Sequence, residues 1–312
     1  MRLGLIARAD RTGLGHQTWE VYRHLRPAVT VVVDMTGHGP QRSGFNPSWY
    51  PDGRVIRWGK DGSLPGAFEA LRRCDVVYTA ESFYDSALSI RLRSVGVPTV
   101  RHVNPELDDG AFSTATWYPT SWLAPEGATV IPMPAPVDRY PEVIPVRQPW
   151  RAVHPSSIAI YDRNGRRAAQ QALRGRLSVI GPPGAEVSDY WGRDPGYACS
   201  VIPRRYGGLC LPALEALSAG VPVVMPDCPP NHEWPIIPVP AHRGPAQRMK
   251  AGMIGTYDVR PEDVLSVVTG LVGEPERLEM ERCRARDWAE AHSWEMMGPL
   301  WLRELEAAVA QG

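Results

Sequence analysis

The sequence lacks a hydrophobic run long enough to cross a membrane. A spanning helix needs about 20 consecutive apolar residues, and no stretch of the 312-residue chain approaches that length. The first residues, MRLGLIARAD, contain neither the long apolar segment nor the cleavage site of a signal peptide. We therefore expect a cytoplasmic protein with no membrane span.

Cysteine is scarce, and it follows neither a metal-binding nor a disulfide pattern. The five cysteines are odd in number and far apart, and none belongs to a CxxC pair. Structural zinc sites place cysteine and histidine ligands at short, regular spacings. We expect reduced, mostly buried thiols at these positions, which are Cys74, Cys199, Cys210, Cys228 and Cys283.

An excess of charge of either sign is also missing. The chain has 34 basic and 34 acidic residues, which argues against a protein held on nucleic acid by bulk electrostatics but leaves room for a local basic surface. Lys60 and Lys250 are the only lysines. Any phosphate site must therefore be built mainly from arginine, whose planar guanidinium group can bind phosphate through two parallel hydrogen bonds.

Short apolar strands alternate with helical segments along most of the chain. This order is typical of parallel sheets covered by helices, and a length of 312 residues favours two domains. The predicted fold is α/β, with two Rossmann-like doubly wound domains that face each other across a cleft. Prolines crowd residues 118–150, where we expect the connection. The predicted ranges are 1–138 and 139–295 for the two domains and 296–312 for a final helix that packs back on the first domain.

A glycine-containing turn, TGLGHQT at residues 12–18, follows the first predicted strand and begins a helix. Gly13 and Gly15 let the backbone approach a ligand closely, and a helix N-terminus favours an anion. Thr18 stands where a dinucleotide-binding motif has its third glycine, so a nicotinamide or flavin cofactor is not favoured. A tight turn without a ligand is the alternative. The polar candidates in this loop are Asp10, for catalysis, and His16, for binding an acceptor.

Arginines and glycines precede a helical segment in the second half of the chain. The stretch RRYGG at 204–208 leads into LPALEALSAG, and the turn DRNG at 162–165 leads into another helix. A helix start with nearby guanidinium groups is suited to a phosphate, although the arginines of such a unit can also be merely solvated. A carboxylate on the helix can accept hydrogen bonds from ribose hydroxyls. The candidates for binding a donor molecule are Gly13, Gly15, Arg163, Arg204, Arg205, Gly207, Gly208, Leu209 and Glu215.

The segment GGLCLPALEA at 207–216, followed by SAGVPVV, resembles the GT-B glycosyltransferases, in particular the large retaining group related to glycogen and mannosyl transferases. In that group a segment E-G-F-G-L-P-x-x-E-A, followed by G-x-P-V-V, forms the nucleotide-sugar site. Further similarities follow in the same order along nearly the whole chain. They are the glycine loop, Pro-Val-Asp at 136–138, DRNG in place of R-K-G, and Ser-Trp at 293–294.

The sequence departs from the family pattern at three positions. Gly207 replaces the first glutamate, Asn164 replaces the lysine of R-K-G, and Ala80 replaces a histidine often found near the sugar. The resemblance therefore carries over Glu215, for the ribose, and Arg163, for the diphosphate. Arg204 or Arg205 would restore the lost positive charge.

Two further residues are candidates for catalysis. Glu81 is the best acidic one, because it follows a predicted strand at the edge where such sheets bind ligands. His102, after the next strand, is a weaker candidate that fits a hydrogen-bonded core histidine equally well.

The resemblance implies transfer of a sugar from a nucleoside diphosphate sugar to a hydroxyl acceptor, with retention at the anomeric carbon. The nucleotide base is expected near the turn between residues 181 and 205. We expect no cofactor and no bound metal, because arginines and helix dipoles can stabilise the departing diphosphate and the sequence has no D-x-D segment for a metal. Two alternatives share this fold and donor. They are a sugar-nucleotide 2-epimerase and a non-catalytic protein that binds a sugar nucleotide or a glycan.

The acceptor is left open among a polysaccharide, a small metabolite, a protein and a hydroxymethylated DNA base. The compact, arginine-rich chain resembles glycosyltransferases of actinobacteria and their phages. A stretch that mixes basic and aromatic residues is a candidate surface for DNA that carries such a base, with Trp58 as the residue expected to bind the acceptor, and a loop packed on its domain is the alternative. Its members are Arg42, Trp49, Tyr50, Arg54, Arg57, Trp58 and Lys60.

Overall fold

A computed structural model describes residues 1–10, 12–36, 44–140, 143, 145–155, 162–180 and 196–312. These residues form two compact units. The first unit consists of Met1–Met133 and Met297–Gly312, and the second lies between residues 134 and 296. Among the described residues, no helix combines the length and the apolar character that crossing a membrane requires.

The first unit is built on a seven-stranded parallel sheet with the order β3-β2-β1-β4-β5-β6-β7. The strands at its centre are short and fully buried, as the apolar run LGLIAR in β1 predicts for a sheet covered on both faces. The strands are β1 (Leu3–Arg8), β2 (Val29–Asp34), β3 (Arg54–Arg57), β4 (Val76–Ala80), β5 (Thr99–His102), β6 (Ala115–Tyr118) and β7 (Thr129–Val130).

Three helices of the first unit connect its strands. The helix after β1 begins where Thr12, in extended conformation, accepts a hydrogen bond from the backbone N–H of Gly15 through its side chain, which satisfies one of the helix's initial N–H groups. The three helices are α1 (Gly13–Leu25), α2 (Ala67–Leu71) and α3 (Leu88–Arg93).

The second unit contains a five-stranded parallel sheet with the order β12-β11-β10-β8-β9. Its core is formed by apolar residues of the strands and helices, many of them small or β-branched, including Val201, Val224 and Val264. The strands are β8 (Gln148–Pro155), β9 (Leu177–Ile180), β10 (Tyr197–Val201), β11 (Val223–Pro226) and β12 (Ile237–Val239). The helices are α4 (Arg166–Ala172), α5 (Leu211–Ser218), α6 (Pro261–Gly273) and α7 (Pro275–Ala291).

The last helix, α8 (Trp294–Gln311), runs from the end of the second unit into the first. Trp301 on α8 is fully buried, and its indole N–H donates to the carbonyl oxygen of Pro132 at 3.1 Å. The ring of Trp301 lies 5.6 Å from the rings of Tyr78 and Trp117. The final helix is therefore part of the first unit's core.

An antiparallel hairpin in the second unit is an addition to the predicted pattern. It is formed by β13 (Ala241–Met249) and β14 (Gly252–Val259). The sequence predicts no element here, because AHRGPAQRM contains glycine, proline and charged residues in place of an apolar alternation. The two parallel sheets nevertheless confirm the predicted α/β class with two Rossmann-like domains. Four cysteine thiols are buried, all five are free, and only Cys283 is exposed.

Candidate functional site

Each parallel sheet has one point at which the strand order reverses. In the first sheet this point lies between β1 and β4, and in the second it lies between β8 and β10. Open α/β sheets bind ligands outside the carboxyl ends of their strands at such a point. The residues that follow these four strands are therefore the first places to look for a site in each unit.

Residues that follow β8 and residues that follow β10 contact each other through their backbones. The backbone N–H of Arg205, after β10, donates to the carbonyl oxygen of Arg163, after β8, at 2.8 Å. Gly165 has a φ of +66°, and a Cβ at that position would collide with the carbonyl oxygen of Pro203. The glycine of DRNG is thus needed for the close approach of two backbones. This approach brings Arg163 next to the residues after β10.

Arg163 and Arg204 share one hydrogen-bond acceptor. The Nε atoms of both side chains donate to the carbonyl oxygen of Tyr206, at 3.3 Å from Arg163 and 3.0 Å from Arg204. The Arg163 guanidinium also lies over the Tyr206 ring, 5.5 Å from its centre, in the arrangement of a cation–π interaction. Arg204 is only 2% exposed. Both groups are therefore held in fixed positions.

The two guanidinium groups converge on Gly207. This residue has a φ of +128°, and a Cβ built on it would collide with terminal nitrogens of both Arg163 and Arg204. The space that a side chain at 207 would fill is thus occupied by the arginines. Two guanidinium groups directed at one point can donate hydrogen bonds to the same anion. The geometry suits a group with several phosphate oxygens.

Arg205 points to a different part of the second unit. Its Nε donates to Oδ1 of Asp258 on β14 at 2.6 Å, and its carbonyl oxygen accepts a hydrogen bond from the N–H of Tyr257 at 2.9 Å. The two neighbouring arginines of the sequence are therefore separated by the structure. Arg204 joins Arg163, and Arg205 joins the hairpin.

Helix α5 follows this loop and carries Glu215. The helix is preceded by Cys210, which provides no side-chain hydrogen bond to its N-terminus. Gly208 is buried and Leu209 is half-buried just before it. Glu215 is 3% exposed, and its Oε1 accepts a hydrogen bond from Nη1 of Arg139 at 3.2 Å. A buried carboxylate needs such a partner, because desolvation of an isolated charge is costly.

Sequence patterns do not single out Arg139, the partner of Glu215, or Tyr206, the shared acceptor of the two arginines. Arg139 lies in a short 3-10 helix, Val137–Arg139, and its side chain is 7% exposed. Its place directly after the Pro-Val-Asp similarity was the one available signal. The pairing with Glu215 links residues 76 positions apart, a distance over which periodicity gives no information.

In the first unit, Asp10 belongs to a tight polar network after β1. Its Oδ2 accepts a hydrogen bond from Nε of Arg8 at 2.8 Å, and its Oδ1 accepts one from the N–H of Thr12 at 3.1 Å. A Cβ on Gly15 would collide with the carbonyl oxygen of Asp10. Gly15 therefore allows α1 to pack on this loop, and Asp10 and Thr12 fix the start of the helix, which Gly13 opens.

Glu81 lies directly after β4, at the point where the first sheet reverses its order. It has a φ of +69°, a conformation that costs free energy in a residue other than glycine and that clusters at functional sites. Its N–H donates to the carbonyl oxygen of His102 at 2.9 Å. One carboxylate oxygen accepts a hydrogen bond from Nδ2 of Asn104 at 3.3 Å. The carboxylate is half-buried and held at the ligand-binding edge of the sheet.

Tyr84 connects Glu81 electrostatically to the network around Asp10. It is also in the left-handed region, with a φ of +62°. Burial raises the pKa of the Tyr84 hydroxyl, the positive charge of Arg8 opposes this rise, and the carboxylates of Glu81 and Asp10 add to it. The ends of β1 and β4 thus bring two carboxylates, a guanidinium and a phenol within electrostatic reach of one another.

His102 occupies a core position. It is 1% exposed, its Nδ1 lies 3.1 Å from the hydroxyl of Tyr78, and its ring lies 5.2 Å from that of Trp301. Burial lowers the pKa of His102 to about 3, which keeps the ring neutral at ordinary pH. Contact with a substrate is not available to a side chain so placed, and the alternative of a core histidine fits this position.

The candidates for binding an acceptor pack against the first unit. His16 is buried edge-on to Trp49, at 5.7 Å between ring centres, and the indole N–H of Trp58 donates to the carbonyl oxygen of Tyr84 at 2.7 Å. Trp49 and Tyr50 are buried, so the aromatic members of the mixed stretch face the core. Its exposed members are Arg54, Arg57 and Lys60. Arg42 and residues 181–195 of the expected base-binding turn lie outside the described residues.

No protein-family model and no curated protein matches the chain. Solved structures do match it over nearly its whole length. HepE of Anabaena in complex with UDP has a TM-score of 0.70 at 10% identity, covering 98% of this chain and 100% of that one. Sucrose-phosphate synthase from Thermosynechococcus elongatus has a TM-score of 0.63 at 13% identity, covering 98% and 100%.

A third match is the lipopolysaccharide outer core galactosyltransferase WaaB in its apo form. It has a TM-score of 0.56 at 10% identity and covers 95% of this chain and 97% of that one. HepE has also been solved with UDP and glucose. Similarity at such low identity shows the fold alone. The chain has the GT-B fold that the sequence resemblance implies.

The convergence of two arginines on Gly207 predicts a coupled loss of stability. Gly207→Ala should lower the free energy of unfolding by about 1–3 kcal/mol through backbone strain and overpacking. Arg204→Ala in the same chain should relieve part of this loss, because it removes one of the colliding groups. We expect a coupling of about 1 kcal/mol between the two substitutions in a urea-unfolding double-mutant cycle.

Gly252→Ala is the matched control for this cycle. Gly252 has a φ of +115° but nothing within 4 Å of its Cβ position, so alanine there introduces strain without collision. Its effect should add to that of Arg204→Ala. An additive result for Gly207→Ala as well would show that the guanidinium groups do not occupy this space.

Burial of neutral His102 predicts a dependence of stability on pH. The pKa of His102 is about 3 in the folded chain, and the ordinary value is 6.5. The unfolded chain therefore binds more protons between these values, so that this group's contribution is complete above pH 6.5 and is lost as the pH falls towards 3. The slope reaches about 1.4 kcal/mol per pH unit. The free energy of unfolding of the His102→Gln variant should fall less steeply with decreasing pH over this range. A slope equal to that of the wild-type protein would contradict the assignment.

Proposed function

We propose that the protein is a glycosyltransferase that moves a sugar from a nucleoside diphosphate sugar to a hydroxyl acceptor. The second unit binds the donor, with its diphosphate on Arg163 and Arg204. The GT-B fold supports this proposal, and so does the complex of the structurally similar HepE with UDP. UDP-sugars are accordingly the donors to test first.

The observation that carries the proposal is the pair of guanidinium groups over Gly207. It lies at the reversal point of the second sheet, where such sheets bind ligands. A diphosphate leaving group gains negative charge as the sugar departs. Arginines fixed in advance stabilise that charge without reorganisation at the moment of reaction, and Tyr206 fixes both of these. The nearby start of α5 adds a favourable helix dipole.

The remaining parts of the donor are assigned by their chemistry. Glu215 is the proposed partner of the ribose hydroxyls, and Arg139 orients its carboxylate from the other side. One carboxylate can bind both the arginine and the ribose hydroxyls, since its two oxygens accept several hydrogen bonds. The backbone N–H groups at Gly207, Gly208 and Leu209 would complete the diphosphate site.

In the reaction, the bond between the anomeric carbon and the diphosphate oxygen breaks, and its electron pair stays on the diphosphate. The acceptor oxygen forms the new bond and loses its proton. Glu81, at the ligand-binding edge of the first sheet, is our candidate for stabilising charge or receiving that proton. Retention at the anomeric carbon, independence from metal, a cytoplasmic location and an actinobacterial or phage origin stay predictions of the sequence.

The separation of the two neighbouring arginines gives a direct test of the donor site. Arg204→Ala should weaken UDP binding by about tenfold or more, because a hydrogen bond to a charged group contributes about 1.5–3 kcal/mol. Arg205→Ala is the matched control, since it removes the same charge one residue away but from the side that faces Asp258. It should weaken UDP binding by less than about threefold by calorimetry. Equal losses in both variants would contradict the assignment.

The products formed from UDP-glucose distinguish the three classes of function. A transferase forms UDP and a glycosylated acceptor. An isomerised sugar nucleotide formed without acceptor would establish an epimerase, and tight binding with no turnover across a panel of acceptors would establish a binding protein. Either of these results would overturn the proposal.

A further inference from the structure

The hairpin of β13 and β14 has two different faces. Residues directly opposite each other in an antiparallel pair project to the same side. Ile254 and Thr256 are 5% and 1% exposed, and they lie opposite Gln247 and Gly244. The Thr256 hydroxyl donates to the carbonyl oxygen of Pro245 at 2.8 Å. This is the inner face, which packs on the protein.

The outer face carries a strip in which basic side chains lie beside apolar and small ones. Arg243 lies opposite Tyr257, and Arg248 lies opposite Met253. Gly255, between Tyr257 and Met253, has nothing within 4 Å of its Cβ position. Both arginines and the glycine are exposed, Tyr257 is half-buried, and Met253 is 66% exposed. We call these five residues the outer strip.

The charge of the hairpin is positive, although that of the chain is zero. Residues 241–259 contain Arg243, Arg248 and Lys250 but a single acidic residue, Asp258. Asp258 projects to the inner face, opposite His242, and pairs with Arg205. The outer strip therefore presents only positive formal charge, with Lys250 beside it at the turn.

The base of the hairpin is bonded to the candidate donor site. The N–H of Tyr257 donates to the carbonyl oxygen of Arg205 at 2.9 Å, and the N–H of Arg205 donates to that of Arg163 at 2.8 Å. Arg205 also holds Asp258 through its side chain. A macromolecule bound along the outer strip would therefore lie on a hairpin whose backbone is hydrogen-bonded to Arg205, the neighbour of Arg204.

We propose that the outer strip binds double-stranded DNA, which carries the hydroxyl that accepts the sugar. The use of DNA as the acceptor rests on the proposed transferase function, whereas binding along the strip does not. Because ordinary DNA bases carry no hydroxymethyl group, the acceptor is a base that already bears one. A hydroxylating or hydroxymethylating modification of the base must precede this reaction.

The shape of the hairpin favours duplex DNA over other anionic polymers. Neighbouring strands lie about 4.8 Å apart, and a two-stranded β-ribbon of this kind fits the major groove, which is about 12 Å wide. The cross-strand pairs Arg248–Met253 and Arg243–Tyr257 lie about 13 Å apart along the strands. This separation lets the two arginines reach different phosphates. The small outer surface at Gly255 permits close approach.

Two competing partners fit the strip less well. Proteins that bind single-stranded nucleic acid stack successive bases on several aromatic side chains, and the outer strip has Tyr257 alone. An acidic polysaccharide offers negative charge but no groove that matches a ribbon. Both serve as comparisons in the experiment.

The test is the salt dependence of binding to a fluorescent duplex of about 20 ordinary base pairs, between about 50 and 200 mM salt. Each phosphate contact contributes about −0.9 to the slope of log K against log salt. Arg243→Ala/Arg248→Ala should therefore make the slope shallower by about 2 and weaken binding at low salt by tenfold or more. Arg277→Ala/Arg303→Ala, which removes a half-buried and an exposed arginine from helices, is the charge-matched control and should leave the slope unchanged.

Four outcomes would overturn the proposal. They are no binding to the duplex at low salt, equal loss of slope in the control, tighter binding of a single-stranded thymidine oligonucleotide, and tighter binding of polygalacturonate at matched charge. UDP affinity measured on the same samples separates the two proposals. Intact UDP binding without duplex binding overturns DNA as the partner and leaves the transferase proposal standing. Duplex binding without UDP binding overturns the transferase proposal and the acceptor role of DNA, but it leaves the binding of DNA along the outer strip.

Discussion

The convergence of Arg163 and Arg204 on Gly207 is the constraint on which the rest of the second unit depends. Both side chains donate to the carbonyl oxygen of Tyr206, and both fill the place of a side chain at 207. The positions of the two guanidinium groups are thus fixed before any ligand arrives, so an anion that contacts both meets two charge-assisted donors that need no rearrangement.

Backbone contacts around the two arginines explain several sequence features that have no local cause. Gly165 is required because the loop after β8 presses against Pro203. Arg205 lies apart from this pair, because its side chain donates a hydrogen bond to Asp258 and its carbonyl oxygen accepts one from the hairpin. The same short loop thus connects three elements, each of which would have a separate role in the proposed reaction. A change in one of them is expected to be felt by the others.

The sequence predicts the parts of this architecture that local rules govern. Apolar runs predict the strands, and the arginines near glycines predict a phosphate site. Local rules cannot tell Arg204 from Arg205, because their difference depends on Asp258, 53 residues away. They also miss the Arg139 partner of Glu215, as well as a hairpin whose strands lack apolar alternation. His102 shows a related limit, since its position after a strand does not reveal that Trp301 of the last helix covers it.

The central proposal is that two fixed arginines bind the diphosphate, and the sequence predicts that no metal is needed for this. Calorimetric titration of the wild-type protein with UDP and with UMP, each with and without EDTA, tests it most directly. A second phosphate that reaches a second guanidinium should add about 1.5–3 kcal/mol, so UDP should bind about tenfold or more tightly than UMP, and EDTA should change neither value. Equal affinity for UDP and UMP, or loss of UDP binding in EDTA, would contradict the account.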